Sequence, residues 1–278
     1  MRRLIILLAL LTVAGCSTKF AYRNAGWLTY WYLDDYISLT DEQTSRFDER
    51  LQLWLSWHKV EELDKYIAHL KQIKADVQAG KMSVQRIAYH QKTLRSHWHR
   101  VRNKLAPDLA KMAPMLTQEQ SEAFFSELAA FELESIKKRQ KYSEQKRKQR
   151  WLNKREDNLE RWLGDLNDTQ EKMIAALYDH QQDTGDLRSQ YRADYQRQLK
   201  RLFTQPDRGK QFEMRLLTLL TEPEQVRTAD LDRRIKDNRQ QSDQFLAAVY
   251  QSLSDKQRRH LVEELEALID DFTSLKSE

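Results

Sequence analysis

Four times in this chain a leucine is followed by a capping residue, two further positions and a glutamine. The boxes are Leu39-Thr40-Asp41-Glu42-Gln43, Leu116-Thr117-Gln118-Glu119-Gln120, Leu166-Asn167-Asp168-Thr169-Gln170 and Leu253-Ser254-Asp255-Lys256-Gln257. Each reads as a helix start. The Thr, Asn or Ser side chain accepts from the amide three residues on, and the glutamine reaches back to the cap amide. Eight residues after each leucine stands an apolar residue (Phe47, Phe124, Ile174, Leu261), and four further on another (Leu51, Leu128, Tyr178, Leu265). Those positions share a helix face, so every box opens a helix whose buried stripe is already set. The first two boxes are 77 residues apart and the last two 87, which reads as two related halves.

The remaining chain parses into helices as well. Thr40 opens a helix that can run to Gly80, roughly 55–60 Å at 1.5 Å per residue. Ser83 caps a second, expected to break near Pro107 and again at Pro114. Thr117 opens a third that can continue towards Gly164, with room to bend in its middle. Shorter helices fit 168–183 and 187–203, Thr221-Glu222-Pro223-Glu224 reads as a start for a helix to Gln251, and a last helix runs from Ser254 to Phe272. Only 6 Gly and 4 Pro interrupt 278 residues, 32% are charged, and no segment alternates with period two. The predicted fold is therefore all-α: an elongated helical bundle or cradle with long helices and two pseudo-repeated halves.

The first residues carry a different message. Arg2 and Arg3 precede an apolar run from Leu4 to Val13, and Ala14-Gly15 precede Cys16, the single cysteine. This is the pattern of a secretory signal with a lipobox, too short to span a bilayer. It divides the chain into a signal peptide over 1–15, an acylated Cys16 anchor and aromatic lead-in over 16–38, a first helical half over 39–165 and a second over 166–278. Acylation at Cys16 makes the lipid bilayer a partner and leaves no thiol for a disulfide. Ser17 after the cysteine favours the outer over the inner membrane, on its periplasmic face. Without Arg2 and Arg3 the chain holds 45 basic and 42 acidic side chains, a balance that gives no case for nucleic acid.

Three groups of residues invite a functional reading. Tyr22, Trp27, Tyr30, Trp31, Tyr32 and Tyr36 make the lead-in aromatic, either as a membrane-interface belt or, the preferred reading, as a short helix packing onto the bundle. Residues 137–155 hold Lys137, Lys138, Arg139, Lys141, Lys146, Arg147, Lys148, Arg150, Lys154 and Arg155 against a single acid, Glu144. Like charges at helical neighbours favour an anion-binding role; the other reading is a solvated face neutralised by acids elsewhere in the fold. The histidines form no HExxH or Glu-x-x-His pattern, and neither GxSxG nor a phosphate-binding glycine loop occurs. No catalytic residue, metal site or cofactor is predicted.

The four boxes resemble the LTxxQ motif of the Spy/CpxP periplasmic family, which implies small helical cradles and, for Spy, client holding without ATP. A broader likeness is to a family of proteobacterial lipoproteins of unknown function. That family joins a lipobox to a Trp-x-x-x-Trp-x-x-Asp-Asp-Tyr segment, here Trp27 to Tyr36. It continues with Trp-His-x-x-Glu-Glu-Leu-x-x-Tyr, here Trp57 to Tyr66, and Arg-Trp-Leu-Gly-x-Leu, here Arg161 to Leu166. The functional expectation is a membrane-anchored periplasmic non-enzymatic binding protein, chaperone-like toward envelope proteins. The alternative is a structural or adaptor lipoprotein docking on an anionic envelope polymer, lipid or partner complex.

Overall fold

The structure, a computed structural model, describes residues 16–277; the signal sequence read over 1–15 and the Cys16 side chain lie outside what it describes. Among the described residues it is all-α, without a strand. Helices α1 (Cys16–Arg23) and α2 (Ala25–Leu33) form the lead-in. Then come α3 (Asp41–Trp57), α4 (Leu63–Gln78), α5 (Val84–Met112), α6 (Gln118–Gln140) and α7 (Glu144–Leu163). The rest of the chain forms α8 (Asp168–His180), α9 (Gly185–Phe203), α10 (Lys210–Thr221), α11 (Ala229–Gln251) and α12 (Asp255–Ser277).

The helix opened by Thr40 runs without interruption into α4 through a π-helical turn, His58–Glu62. It ends where Gly80, at φ 70°, takes the left-handed conformation that a side chain disfavours. Lys81 N–H then closes on the Asp76 carbonyl at 2.9 Å and Gly80 N–H on Val77 at 3.3 Å. Two expected boundaries move. Pro107 sits inside α5, because the carbonyl it leaves unbonded belongs to solvent-exposed Asn103; the break waits for the Ala113–Met115 3₁₀ turn. Thr221 closes α10 instead of opening a helix: its hydroxyl turns back to the Leu217 carbonyl at 2.8 Å. Pro223 opens only a 3₁₀ turn, Pro223–Val226, and the next α-helix starts at Ala229, capped by Thr228.

What ties these helices together is the side chain at the end of each box. Thr40, Thr117 and Asn167 make reciprocal capping boxes with Gln43, Gln120 and Gln170, and Ser254 does so with Gln257. The same glutamines then pair. Gln43 Nε2 donates to Gln120 Oε1 at 2.9 Å and Gln120 Nε2 donates back to Gln43 Oε1 at 2.7 Å. Gln170 and Gln257 repeat the ring at 3.0 and 2.9 Å. The second amide proton of each goes to a residue five positions before the partner glutamine. Gln43 takes the Met115 carbonyl (2.7 Å), Gln120 that of Ser38 (2.7 Å) and Gln257 that of Asp165 (2.8 Å). Gln170 takes the Ser252 hydroxyl instead, at 3.2 Å. With the cap amide as second donor to each oxygen, every amide fills two donor and two acceptor sites.

Each pair is wrapped by an apolar cluster. Around Gln170 and Gln257 lie Ile174, Leu177, Val249, Leu253 and Leu265, with Val77 delivered from the far end of the long helix. Tyr250 Oη donates to the Val77 carbonyl at 2.7 Å and fixes that arrival. Around Gln43 and Gln120 lie Ala113, Phe125, Leu199, Phe203 and Leu216. Chain segments on either side of residue 165 pack across one another, α4 along α12 and α5 along both α10 and α11.

Gln170 is fully buried, so replacing it with leucine leaves the Asn167 amide and half of the Gln257 amide unpaired. We expect Gln170→Leu and Gln257→Leu each to cost about 1–3 kcal/mol in urea unfolding. The double variant should fall short of the sum by at least 0.5 kcal/mol or so; strict additivity would show that the two amides do not act as a pair.

Candidate functional site

The most basic stretch of the sequence becomes a corner. Ser143 caps α7 through the Lys146 amide at 3.3 Å, so the helix expected to bend between Thr117 and Gly164 breaks into α6 and α7 at residues 141–143. Most residues from 137 to 150 are exposed, with Arg139, Tyr142 and Lys148 half-buried. Among the ten basic side chains, two meet carboxylates: Arg139 pairs with Asp186, and Lys148 with Asp179 at 2.7 Å. Others lean on aromatic faces. Lys146 and Arg150 stand 5.3 and 4.8 Å from the Tyr142 ring, and Arg155 stands 5.0 Å from Trp151. Arg147 reaches the Tyr142 carbonyl at 2.9 Å. Lys137, Lys138, Lys141 and Lys154 have no carboxylate within ion-pair distance among the described residues. Acids of the fold therefore neutralise little of the corner directly, and its field faces solvent.

The aromatic lead-in divides its side chains between two surroundings. Tyr22 Oη meets His58 Nδ1 at 3.2 Å, Tyr30 Oη donates to Asp48 at 2.7 Å, and Tyr36 packs its ring 6.3 Å from Phe124. Lys19 pairs with Asp271 on α12 at 3.3 Å. Phe20 and Trp27 point the other way, 57% and 62% exposed, and Trp31 stacks on Trp27. Phe20 lies on α1 and Trp27 on α2, one on each side of Asn24. Among the described residues no helix is long and apolar enough to cross a membrane.

A third cluster escaped the sequence reading. His69 on α4 and His90 and His97 on α5 are buried side by side. His69 Nδ1 lies 3.1 Å from His97 Nε2, and His69 Nε2 lies 3.2 Å from His90 Nδ1. His90 Nε2 ends on Asp76 at 2.9 Å, while His97 Nδ1 faces the Arg100 guanidinium. The protons follow from the ends. A guanidinium only donates, so His97 Nδ1 accepts and its Nε2–H donates to His69. His69 then donates from Nε2 to His90, and His90 from Nε2 to the carboxylate. The whole chain is neutral and runs one way, from Arg100 to Asp76. Because His69 spends its two nitrogens in opposite directions, the trio is a relay and not a ligand set around one point. Among the described residues no three or more His, Cys, Asp or Glu side chains are arranged to hold one metal ion.

The surroundings hold the relay in that state. Burial lowers the pKa of all three histidines, helped at His69 by the charges His97 and His90 would carry, and brings His69 to about 4. At Asp76, burial alone would raise the pKa, but hydrogen bonds from Arg86 (2.6 Å) and His90 hold it below the usual carboxylate range. Glu62 behaves alike at the other end, clasped by Arg100 and Lys65. Tyr66 stands edge-on to His97 at 4.8 Å and meets His58 at 3.1 Å, and burial lowers the pKa of His58 too. The signal available in the sequence was spacing. His90 and His97 are seven apart, as are His69 and Asp76, so each pair shares a helix face.

Residues 35–233 match the family described as a family of unknown function, DUF6279. No curated protein and no solved structure matches the chain.

The relay makes stability depend on pH. Each histidine has its folded pKa below its unfolded value near 6.5, so the unfolded chain takes up protons first as pH falls. The contribution is complete above pH 6.5 and is lost between there and about 4. For His69 alone the loss at pH 5 is on the order of 2 kcal/mol. Urea midpoints measured at pH 7.5 and 5 should fall accordingly, and fall less in His69→Gln. Equal pH sensitivity of the two proteins would mean that the relay is not what titrates.

Proposed function

The chain belongs to that family of unknown function, and from its surface we propose that it is a membrane-anchored, non-enzymatic docking lipoprotein of the bacterial envelope. The observation that carries this reading is the α6–α7 corner, where eight of ten clustered cations lack a carboxylate partner among the described residues. A surface of that kind binds phosphate-bearing or carboxylate-bearing surfaces through many weak contacts and loses them as salt screens the field. The lipobox ending at Cys16 supports acylation there, and Ser17 supports the periplasmic face of the outer membrane. Phe20 and Trp27, outward on the helices that follow, suit the boundary between headgroups and acyl chains.

A second reading, a chaperone-like holder of unfolded envelope proteins, has one observation in its favour. Leu94 and Trp98 stand 60% and 63% exposed one turn apart on α5. The other large exposed apolar residues, among them Leu53, Val60, Leu133 and Met214, are spread over several helices. The likeness of the boxes to the Spy/CpxP motif belongs with this reading.

Binding of the chain beginning at Ser17 to vesicles separates the two. We expect it to sediment with vesicles containing phosphatidylglycerol and not with phosphatidylcholine alone. At about 1 kcal/mol for each cation near the surface, Lys138→Gln, Lys141→Gln and Lys146→Gln together should weaken binding on the order of a hundredfold. Equal binding to the two kinds of vesicle would remove an anionic lipid surface as the docking partner. Suppression of client aggregation at near-stoichiometric ratios would favour the chaperone reading instead.

A further inference from the structure

At the end of the molecule held by Gln43 and Gln120, the apolar cluster is not closed. A cavity of about 260 Å³ enters it, lined among others by Ile37, Phe47, Leu109, Phe124, Phe203 and Leu216. Polar residues on its wall have their hydrogen bonds engaged elsewhere. The Gln43 amide is fully committed to the glutamine pair and the Thr40 cap, and Ser121 donates to the Thr117 carbonyl at 2.8 Å. The interior thus offers nothing to a polar guest and little to water, the condition under which a cavity takes up hydrocarbon.

The mouth is of the opposite character. Arg46, Met112 and Met115 belong both to the cavity and to a second recess of about 420 Å³, which adds Glu42, Glu49, Arg50, Asp108 and Lys111. Arg50 is engaged by Glu49 at 3.0 Å and faces Asp108 at 4.0 Å, and Asp108 also accepts from Trp54 Nε1 at 2.9 Å. Arg46 and Lys111 are left without a carboxylate, and Glu42 without a cation, among the described residues. An apolar shaft beside free groups of both signs is complementary to a molecule with one hydrocarbon chain and a head that is itself doubly charged.

We propose that this cavity binds a single-chain zwitterionic phospholipid, a lysophospholipid, with its acyl chain among Phe47, Phe124 and Leu216. Its phosphate meets Arg46 and Lys111, and the cationic nitrogen of its head meets Glu42. The volume lies just under the roughly 300 Å³ at which drug-sized sites begin, which suits one chain and not two. The mixed charge of the mouth separates this ligand from a fatty acid, whose carboxylate would use the cations and leave Glu42 opposed to nothing. The site is separate from the α6–α7 corner and does not rest on the docking reading.

The test is a titration of the purified full chain, below the micelle concentration, with lysophosphatidylcholines of increasing length. A fatty acid and an alkyl maltoside of matched length serve as comparisons. Affinity is expected to rise about fourfold per methylene until the cavity is full. Leu216→Trp, which fills the shaft, should abolish binding. Arg46→Gln with Lys111→Gln, both on the surface, should weaken the lysolipid at least tenfold and leave the maltoside unchanged. Binding independent of chain length, or unaltered when the surface pair is replaced, would overturn the proposal. A fatty acid that binds as tightly as the matched lysolipid would overturn it as well.

Discussion

Two pairs of glutamine side chains join what would otherwise be separate helices. A primary amide has two donors and two acceptor sites, and a capping box uses only one acceptor, for the cap N–H. The rest of the group must be satisfied by something outside its own helix once it is buried. In both junctions that something is an identical amide from another box and a polar oxygen five residues before the partner. Starting a helix and joining it to another are therefore one event. In a low-dielectric interior such a closed ring is strengthened by the same surroundings that would make an open one costly.

The glutamine pairs lie in apolar surroundings, whereas between α4 and α5 the interface is polar. There the contact is made by Glu62, Arg100, the three histidines, Asp76 and Arg86. Charged groups close both ends, so the neutral middle has one consistent proton arrangement. An added proton would have to face Arg100 or displace a donor. Burial is the main reason all three histidines stay below their ordinary pKa; Arg100 adds to it at His97, while Asp76 acts against it at His90. These polar groups tie two long helices together and make their contact sensitive to acid.

The functional reading follows from where the positive charge gathers. Elsewhere some cations reach carboxylates far along the chain, as Arg102 does Glu224 and Lys276 does Asp64. At the α6–α7 corner ten cations crowd into 19 residues with one acid among them, and two meet a carboxylate among the described residues. Aromatic rings there support the guanidinium and ammonium groups without cancelling their charge. The proposed docking at the corner and the proposed lysolipid site use different chemistry, long-range field at one and chain burial at the other. Both are consistent with a protein that works against a lipid surface.

Legible in the sequence were the helix starts at the four boxes and at Ser83, the stops at Gly80 and Gly164, the all-α class and the basic stretch over 137–155. These are local matters, settled by caps, glycines and charge within a few residues of one another. Pro107 and Thr221 show the limit even there, since each boundary depended on which backbone group faced solvent or folded back. The tertiary structure alone decided which glutamine meets which, that His69 bridges partners 21 and 28 residues away, and that Phe47, Phe124 and Leu216 leave a cavity beside Arg46 and Lys111. Those outcomes depend on the register between helices distant in the chain. That register is set by the summed packing of many side chains, which no short spacing encodes.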